Sequence, residues 1–96
     1  MSAVQARVPT AHASRYLQQL CKHWAHKLEV EFTAEQGTIR FPDGTLATLK
    51  ANSEALDVRL EVPDGEDAER MQRVVAEHLD RFAFREAPLP FDWQPA

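Results

Sequence analysis

The sequence predicts one α+β domain in which an antiparallel sheet carries two helices on one face. Short segments such as LEVEFT at 28–33 have apolar residues at every second position, as half-buried strands do. Two longer segments have apolar residues at helical spacing, and Pro- or Gly-containing turns separate several of the segments. A chain of 96 residues suits one core and leaves no room for a second, so we expect a single domain over 1–96.

The chain begins with a short strand and a helix. The alternation in AVQARVPT at 3–10 predicts a strand that Pro9 ends. Thr10 has the side chain of a helix N-cap, so we expect a helix from there to about Lys27. Its buried stripe is expected to contain Ala13, Tyr16, Leu17, Leu20 and Trp24.

Four alternating segments follow and are joined by short turns, which predicts an antiparallel meander. Their inward positions are expected to hold the apolar side chains, including Leu28, Val30, Phe32, Ile39, Phe41, Leu56, Val58, Leu60 and Val62. The other face is expected to be open and of mixed charge, with Glu29, Glu31, Arg40, Asp57, Arg59 and Glu61.

A second helix is expected from the acidic segment at 66–69 to about Arg85, with Ala68, Met71, Val75, Leu79 and Phe82 in its buried stripe. The last ten residues, 87–96, contain three prolines and are expected to pack on the body as a non-helical tail. The predicted order is therefore β-α-β-β-β-β-α with five strands. It resembles the half-repeat of the TATA-binding-protein fold, and a shared fold does not transfer a function.

Composition narrows the functional classes. A net charge of −4 does not attract polyanions such as nucleic acid or an anionic membrane, and we expect neither as a partner. No apolar run approaches the roughly 20 residues that span a bilayer. The single cysteine cannot form an internal disulfide, which favours a reducing cytoplasm. Unpaired outer strands would offer edges for a homodimer.

The histidines are candidate metal ligands. His23 and His26 are three residues apart on the predicted first helix, and His78 lies in the middle of the second. If the two helices are neighbours, these imidazoles would suit zinc or iron(II), with Glu86 or Cys21 as a fourth group. The H-x-x-H spacing alone is a weak signal for a metal, and histidines beside an apolar stripe more commonly form hydrogen bonds across a helix–helix or helix–sheet seam. Cys21 falls on the opposite edge of the apolar stripe, where we expect a buried, unreactive thiol.

A second candidate site is a pocket for a ligand or a partner. His78, Arg81 and Arg85 share one flank of the second helix, and two guanidinium groups can hold a carboxylate or phosphate. Pairing with carboxylates and with the helix dipole is the structural alternative. Glu86 is expected to form an ion pair with Arg15 or Arg85. The full set of ligand- or partner-binding candidates is Tyr16, His23, His78, Arg81, Arg85 and Trp93.

Two blocks of the chain resemble the DUF2218 family of small bacterial proteins. They are RVPTAHASRYLQQLCKHWAHKLEV near the start and VVAEHLDRFAFREAPLPFDW at the end, and the resemblance extends from about Ala3 to Trp93. The family has no established activity. The resemblance implies a genetic context of siderophore and iron-uptake genes, sometimes with fusion to siderophore-interacting reductase domains.

Two functional hypotheses result. The first is a non-catalytic accessory or binding module of siderophore-iron metabolism, whose partner is a protein of that pathway or a small ligand. No catalytic constellation can be assigned from the sequence, which favours this hypothesis over an enzyme. The second is a metal-binding protein or metal-dependent enzyme that uses His23, His26 and His78 with zinc or iron as its cofactor.

Overall fold

The computed structural model describes residues 2–96 and confirms the α+β class. Six strands and two helices are present in the order β-α-β-β-β-β-α-β. Their bounds are β1 Ser2–Pro9, α1 Ala13–Trp24, β2 Glu29–Phe32, β3 Gln36–Arg40, β4 Leu46–Ala51, β5 Ala55–Val62, α2 Ala68–Phe82 and β6 Gln94–Pro95.

The strands form one antiparallel sheet in the order β2-β3-β4-β5-β1-β6. The predicted meander is β2 to β5, and β1 pairs with β5 along its whole length. The prediction of five strands was wrong, because the tail adds β6 at the edge beside β1. A strand of two residues, one of them proline, has no alternation to detect, and proline is tolerated at a sheet edge.

The first helix is shorter than the sequence predicts at both ends. It begins at Ala13, and Thr10 is not its N-cap. The Thr10 backbone N–H donates to the Glu54 carbonyl oxygen at 3.0 Å, and its hydroxyl accepts from the backbone N–H of His12 at 3.1 Å. Thr10 therefore closes a turn. At the other end, the backbone N–H groups of Lys27 and Leu28 both donate to the Trp24 carbonyl oxygen, which turns the chain into β2.

The second helix begins at Ala68, where the Asp67 side chain accepts from the backbone N–H of Arg70 at 3.1 Å and caps the helix. It ends at Phe82 rather than near Arg85. Ala83 leaves helical geometry, with φ −96° and ψ 35°, and its carbonyl oxygen accepts from the backbone N–H groups of both Glu86 and Ala87, which turns the chain into the tail.

The core lies between the helices and the inward face of the sheet. The stripe of α1 is buried as predicted, and Met71, Val75 and Leu79 are the buried residues of α2. They pack on the inward residues of the strands, among which Ile39, Leu49, Val58 and Leu60 are at most 1% exposed. No described helix is long and apolar enough to cross a membrane.

Gly37 allows α1 to approach the sheet closely. A Cβ atom at this position of β3 would lie 2.8 Å from the Cys21 sulfur and 3.2 Å from the Phe32 Cβ. Real Cβ atoms essentially never show a contact under 3.0 Å. A side chain on Gly37 would therefore push α1 away from β3.

The outward face of the sheet is open and charged, as predicted. Arg7 and Asp57 lie opposite each other on β1 and β5, and the guanidinium donates to both carboxylate oxygens at 3.2 Å. Arg59 and Glu61 form a longer ion pair of 3.9 Å. A concavity of about 440 Å³ lies beside these residues, and one of about 770 Å³ lies over β2 to β4.

Candidate functional site

Four rings meet where the last turn of α1 contacts the last two turns of α2. They belong to His23, Trp24, His78 and Phe82, which we call the helix seam. The ring centroids of His23 and His78 are 5.7 Å apart, and those of His23 and Phe82 are 5.8 Å apart. Trp24 lies below them, with its centroid 4.8 Å from that of His78. The structure thus brings His23 and His78 together, as the sequence predicts for neighbouring helices.

His78 is held in one tautomer by its own helix. Its Nδ1 lies 2.7 Å from the carbonyl oxygen of Val74, one turn earlier in α2. Because a carbonyl oxygen can only accept, Nδ1 carries the proton in this hydrogen bond. In the neutral ring, the lone pair is therefore on Nε2, the nitrogen that can accept a proton or a metal ion.

His23 differs from His78 in its exposure and its contacts. His23 is exposed, whereas His78 and Phe82 are half-buried and Trp24 is 7% exposed. Among residues 2–96, the contacts of His23 are with the rings of the seam, and it forms no hydrogen bond or ion pair there. One side of its imidazole is therefore exposed to solvent, and the other contacts the rings of His78 and Phe82.

The predicted cluster of three histidines does not form. Across the described residues, no group of three or more His, Cys, Asp or Glu side chains is placed to hold a metal ion. The prediction placed His26 on the same helix as His23, but α1 ends at Trp24 and His26 lies in the exposed turn that follows. The helical spacing of three residues therefore does not apply to this pair.

Tyr16 belongs to a different cluster, about 10 Å from His23 along the helix axis. Its hydroxyl donates to Glu86 Oε2, and the Thr10 hydroxyl lies 3.0 Å from Oε1 of the same carboxylate. Burial, followed by the hydrogen bond with Glu86, raises the pKa of the Tyr16 hydroxyl above its ordinary value. We call Thr10, Tyr16 and Glu86 the tail clamp, because it fastens the start of the tail to α1 and to the end of β1.

The tail clamp corrects the expectation for Glu86. The sequence predicted an ion pair with Arg15 or Arg85, and the carboxylate instead accepts hydrogen bonds from two hydroxyl groups. Hydroxyl donors are difficult to assign from a sequence, since Thr10 and Tyr16 are each about 70 residues or more from Glu86 along the chain. Farther along the tail, the backbone N–H of Leu89 donates to Asp80 Oδ1 at 2.9 Å.

The remaining candidates lie around these two clusters. Arg81 is exposed in the last turn of α2, three residues after His78, so both are on one flank of the helix. Arg85 lies beyond the end of the helix, and its guanidinium carbon is 5.8 Å from the centroid of the Phe84 ring, which is 72% exposed. Trp93 stacks on Phe91 at 5.5 Å, and within the described chain it makes no ring contact with the seam. The six predicted residues are therefore divided among the helix seam, the tail clamp and the segment that follows α2.

Cys21 behaves as predicted. Its side chain is fully buried against β3, and burial raises the pKa of the thiol to about 11. A buried thiol that is protonated at neutral pH is a poor nucleophile.

The sequence interpretation missed two members of the helix seam. Trp24 and Phe82 were assigned to the apolar stripes, and they do contact the core. Each is also next to a candidate histidine on its helix, Trp24 directly after His23 and Phe82 four residues after His78. Only the spacing of four residues between His78 and Phe82 places an aromatic ring beside a candidate histidine on one helix face, so it was the available signal for a ring cluster.

Comparison with known proteins places the chain in a family. Residues 5–94 match the family model of DUF2218, described as an uncharacterized protein conserved in bacteria. The chain belongs to the DUF2218 family. The DUF2218 chain is also similar to a protein of known structure, reported as the NMR structure of PA4090 from Pseudomonas aeruginosa. The two sequences are 43% identical, the match covers 100% of this chain and 98% of the other, and the TM-score is 0.81. No curated protein matches the sequence.

Membership of DUF2218 confirms the resemblance of the two sequence blocks, since the match includes both of them. The structural match supports the fold over the full chain. Neither comparison assigns a ligand, a partner or a reaction to the DUF2218 chain.

Proposed function

We propose that this DUF2218 chain is a binding module of siderophore-iron metabolism that has no turnover of its own and receives its ligand at the helix seam. The observation that carries the proposal is the position of His23. An exposed imidazole with ring contacts and no hydrogen bond contributes little to the fold, yet it lies directly over His78 and Phe82. A polar side chain that is dispensable for stability fits a role in binding.

The chemistry of the seam suits an iron chelate. Siderophore complexes present oxygen-rich faces and, in the catecholate class, aromatic rings. The exposed ring of His23 and the half-buried ring of Phe82 can pack against an aromatic or alkyl part of such a ligand. Arg81, exposed on the same flank as His78, can supply positive charge to an anionic complex. The siderophore context itself comes from what the family resemblance implies.

Fluorescence titration tests the proposal. Trp24 lies in the seam and Trp93 does not, so the Trp93→Phe variant is the background in which Trp24 is the single reporter. Ferric catecholate, hydroxamate and carboxylate siderophores are titrated into this variant, each beside its iron-free form. We expect saturable quenching by at least one ferric class, and no change of the complex over time when NADH or NADPH is added.

The matched variants are His23→Ala and His26→Ala. Both remove an exposed imidazole near the end of α1, and His23 is the one in the seam. We expect His23→Ala to weaken binding by about tenfold or more, which is the loss of roughly 1.4 kcal/mol, and His26→Ala to leave it unchanged. No saturable quenching by any class, equal effects of the two variants, or turnover by the protein alone would contradict the proposal.

A further inference from the structure

We propose that His23 and His78 together bind one divalent transition-metal ion, of the class that includes zinc and iron(II), and leave its other coordination positions open. The ion would be held by two ring nitrogens contributed by two helices. The inference deepens the proposed function and rests on it for the ligand oxygens that complete the coordination shell. The ion binding itself can be measured without any siderophore.

The spacing of the two rings fits a shared ion. A zinc–nitrogen bond is about 2.0–2.1 Å, and the ring radius adds about 1.1 Å, so each ring centroid lies about 3.2 Å from a bound ion. When a nitrogen of each ring faces one shared ion, two centroids that are 5.7 Å apart subtend an angle of about 125° at that ion. This angle is within about 20° of the tetrahedral value that zinc prefers.

The hydrogen bond of His78 is a second and independent observation. Histidines that bind metals almost always donate the other ring N–H to a carboxylate, a backbone carbonyl or water, which fixes the tautomer and orients the ring. His78 shows this arrangement, with Nδ1 donating to the Val74 carbonyl at 2.7 Å. Nε2 is then the ligating nitrogen.

The surroundings fit an open site. His23 is exposed, and the described residues provide no third His, Cys, Asp or Glu ligand. A structural zinc site is closed by four protein ligands, whereas a site that works on an incoming group keeps positions free. Two imidazoles suit zinc, copper, iron and nickel, and the free positions suit water or the oxygens of a chelator.

Zinc and cobalt titrations of untagged protein test the site. Zn²⁺ binding is measured by calorimetry, and Co²⁺ binding by its visible absorption, which reports the geometry of the shell. We expect one ion per chain at neutral pH, with affinity reduced by more than about tenfold in His23→Ala and in His78→Gln. His26→Ala, which removes an imidazole outside the seam, is expected to bind within about twofold of the unmodified chain. His23 is exposed, so His23→Ala tests the site even if His78→Gln folds poorly.

Nitrogen NMR of the imidazole rings gives a readout that packing alone would not change. On addition of Zn²⁺, we expect the Nε2 signal of His78 to shift while its Nδ1 keeps its proton, and the rings of His12 and His26 to stay unaffected. Absence of saturable binding, binding that survives His23→Ala, or ligation through Nδ1 of His78 would overturn the inference.

Failure of the metal site and failure of the proposed function give different results. Siderophore binding at the seam by a chain that binds no Zn²⁺ would overturn the metal site and leave the binding module in place. Saturable Zn²⁺ binding by a chain that binds no siderophore, with or without the ion, would support the metal site and overturn the proposed ligand.

Discussion

Replacement of Gly37 by alanine tests how α1 is held on the sheet. The new Cβ would lie 2.8 Å from the Cys21 sulfur, whereas the optimum separation of two nonbonded heavy atoms is about 3.5–4.0 Å. One of the two groups must move by about 0.7–1.2 Å within the core. Overpacking of this kind costs about 1–3 kcal/mol, and the stiffer unfolded chain of the alanine variant offsets about 0.4–1 kcal/mol.

We therefore expect Gly37→Ala to lower the free energy of unfolding by about 1–2 kcal/mol in urea titrations followed by circular dichroism. Cys21→Ala removes the sulfur and is the matched partner for a double-mutant cycle. The loss of stability in the double variant should be smaller, by about 0.5–1 kcal/mol, than the sum of the losses in the two single variants. The reason is that the closest contact of the new Cβ is gone and only the Phe32 Cβ at 3.2 Å remains. Strictly additive losses, or a Gly37→Ala chain as stable as the original, would refute the close approach of α1 to β3.

Three further predictions concern buried groups. Because burial raises the pKa of the Cys21 thiol to about 11, the unfolded thiol ionises first, and the stability contributed by Cys21 should fall by about 2–3 kcal/mol between pH 9 and 11. The measurement is the free energy of unfolding of the original chain minus that of Cys21→Ala at each pH; a difference that stays constant across this range would disprove the origin in Cys21. The Thr45 hydroxyl is fully buried and has no hydrogen-bond partner among residues 2–96. The thermal unfolding midpoint of Thr45→Val should therefore equal or exceed that of the original chain, and a lower midpoint would argue against an unpaired hydroxyl. Asp80→Ala removes the acceptor of the Leu89 N–H and should lower the free energy of unfolding by about 1–2 kcal/mol. Hydrogen exchange at the Leu89 amide should become faster, and unchanged exchange would show that this hydrogen bond does not hold the tail.

Local pattern was sufficient to predict most of the fold. LEVEFT and LDVRLEV alternate without interruption, and each became a strand whose charged residues lie on the open face. The stripe of α1 was predictable for the same reason, since one buried face imposes a helical period on the sequence. In these segments a single requirement, burial of one face, determines the position of each side chain.

The sequence was less informative where contacts between distant segments determine the structure. The end of α1 depends on the Trp24 carbonyl oxygen accepting from two residues of the following turn, and this ending separates His26 from His23. The tail clamp joins Thr10 and Tyr16 to Glu86, and β6 exists because the tail reaches the edge of β1. None of these features has a local periodicity.

In the candidate site, too, some features follow from local sequence pattern and others from contacts between distant segments. The meeting of His23 and His78 could be predicted, because it requires only that two amphipathic helices lie side by side on one sheet. The separation of Tyr16 from that meeting point also follows from helix geometry, since Tyr16 lies seven positions before His23 on α1. The position of Trp93 could not be predicted, because it depends on the path of the tail. Helix packing therefore accounts for the meeting of His23 and His78, whereas the placement of Trp93 required the path of residues 87–96.

Chemical-shift mapping with a gallium(III) siderophore locates the bound ligand on the protein, since gallium replaces iron without broadening the signals. We expect amide shifts on titration to centre on His23, His78 and Phe82, to disappear in His23→Ala and to persist in His26→Ala. Shifts centred instead on Lys50 and Arg59, beside the concavity of the open sheet face, or no shifts at all, would contradict the assignment of the helix seam as the binding site.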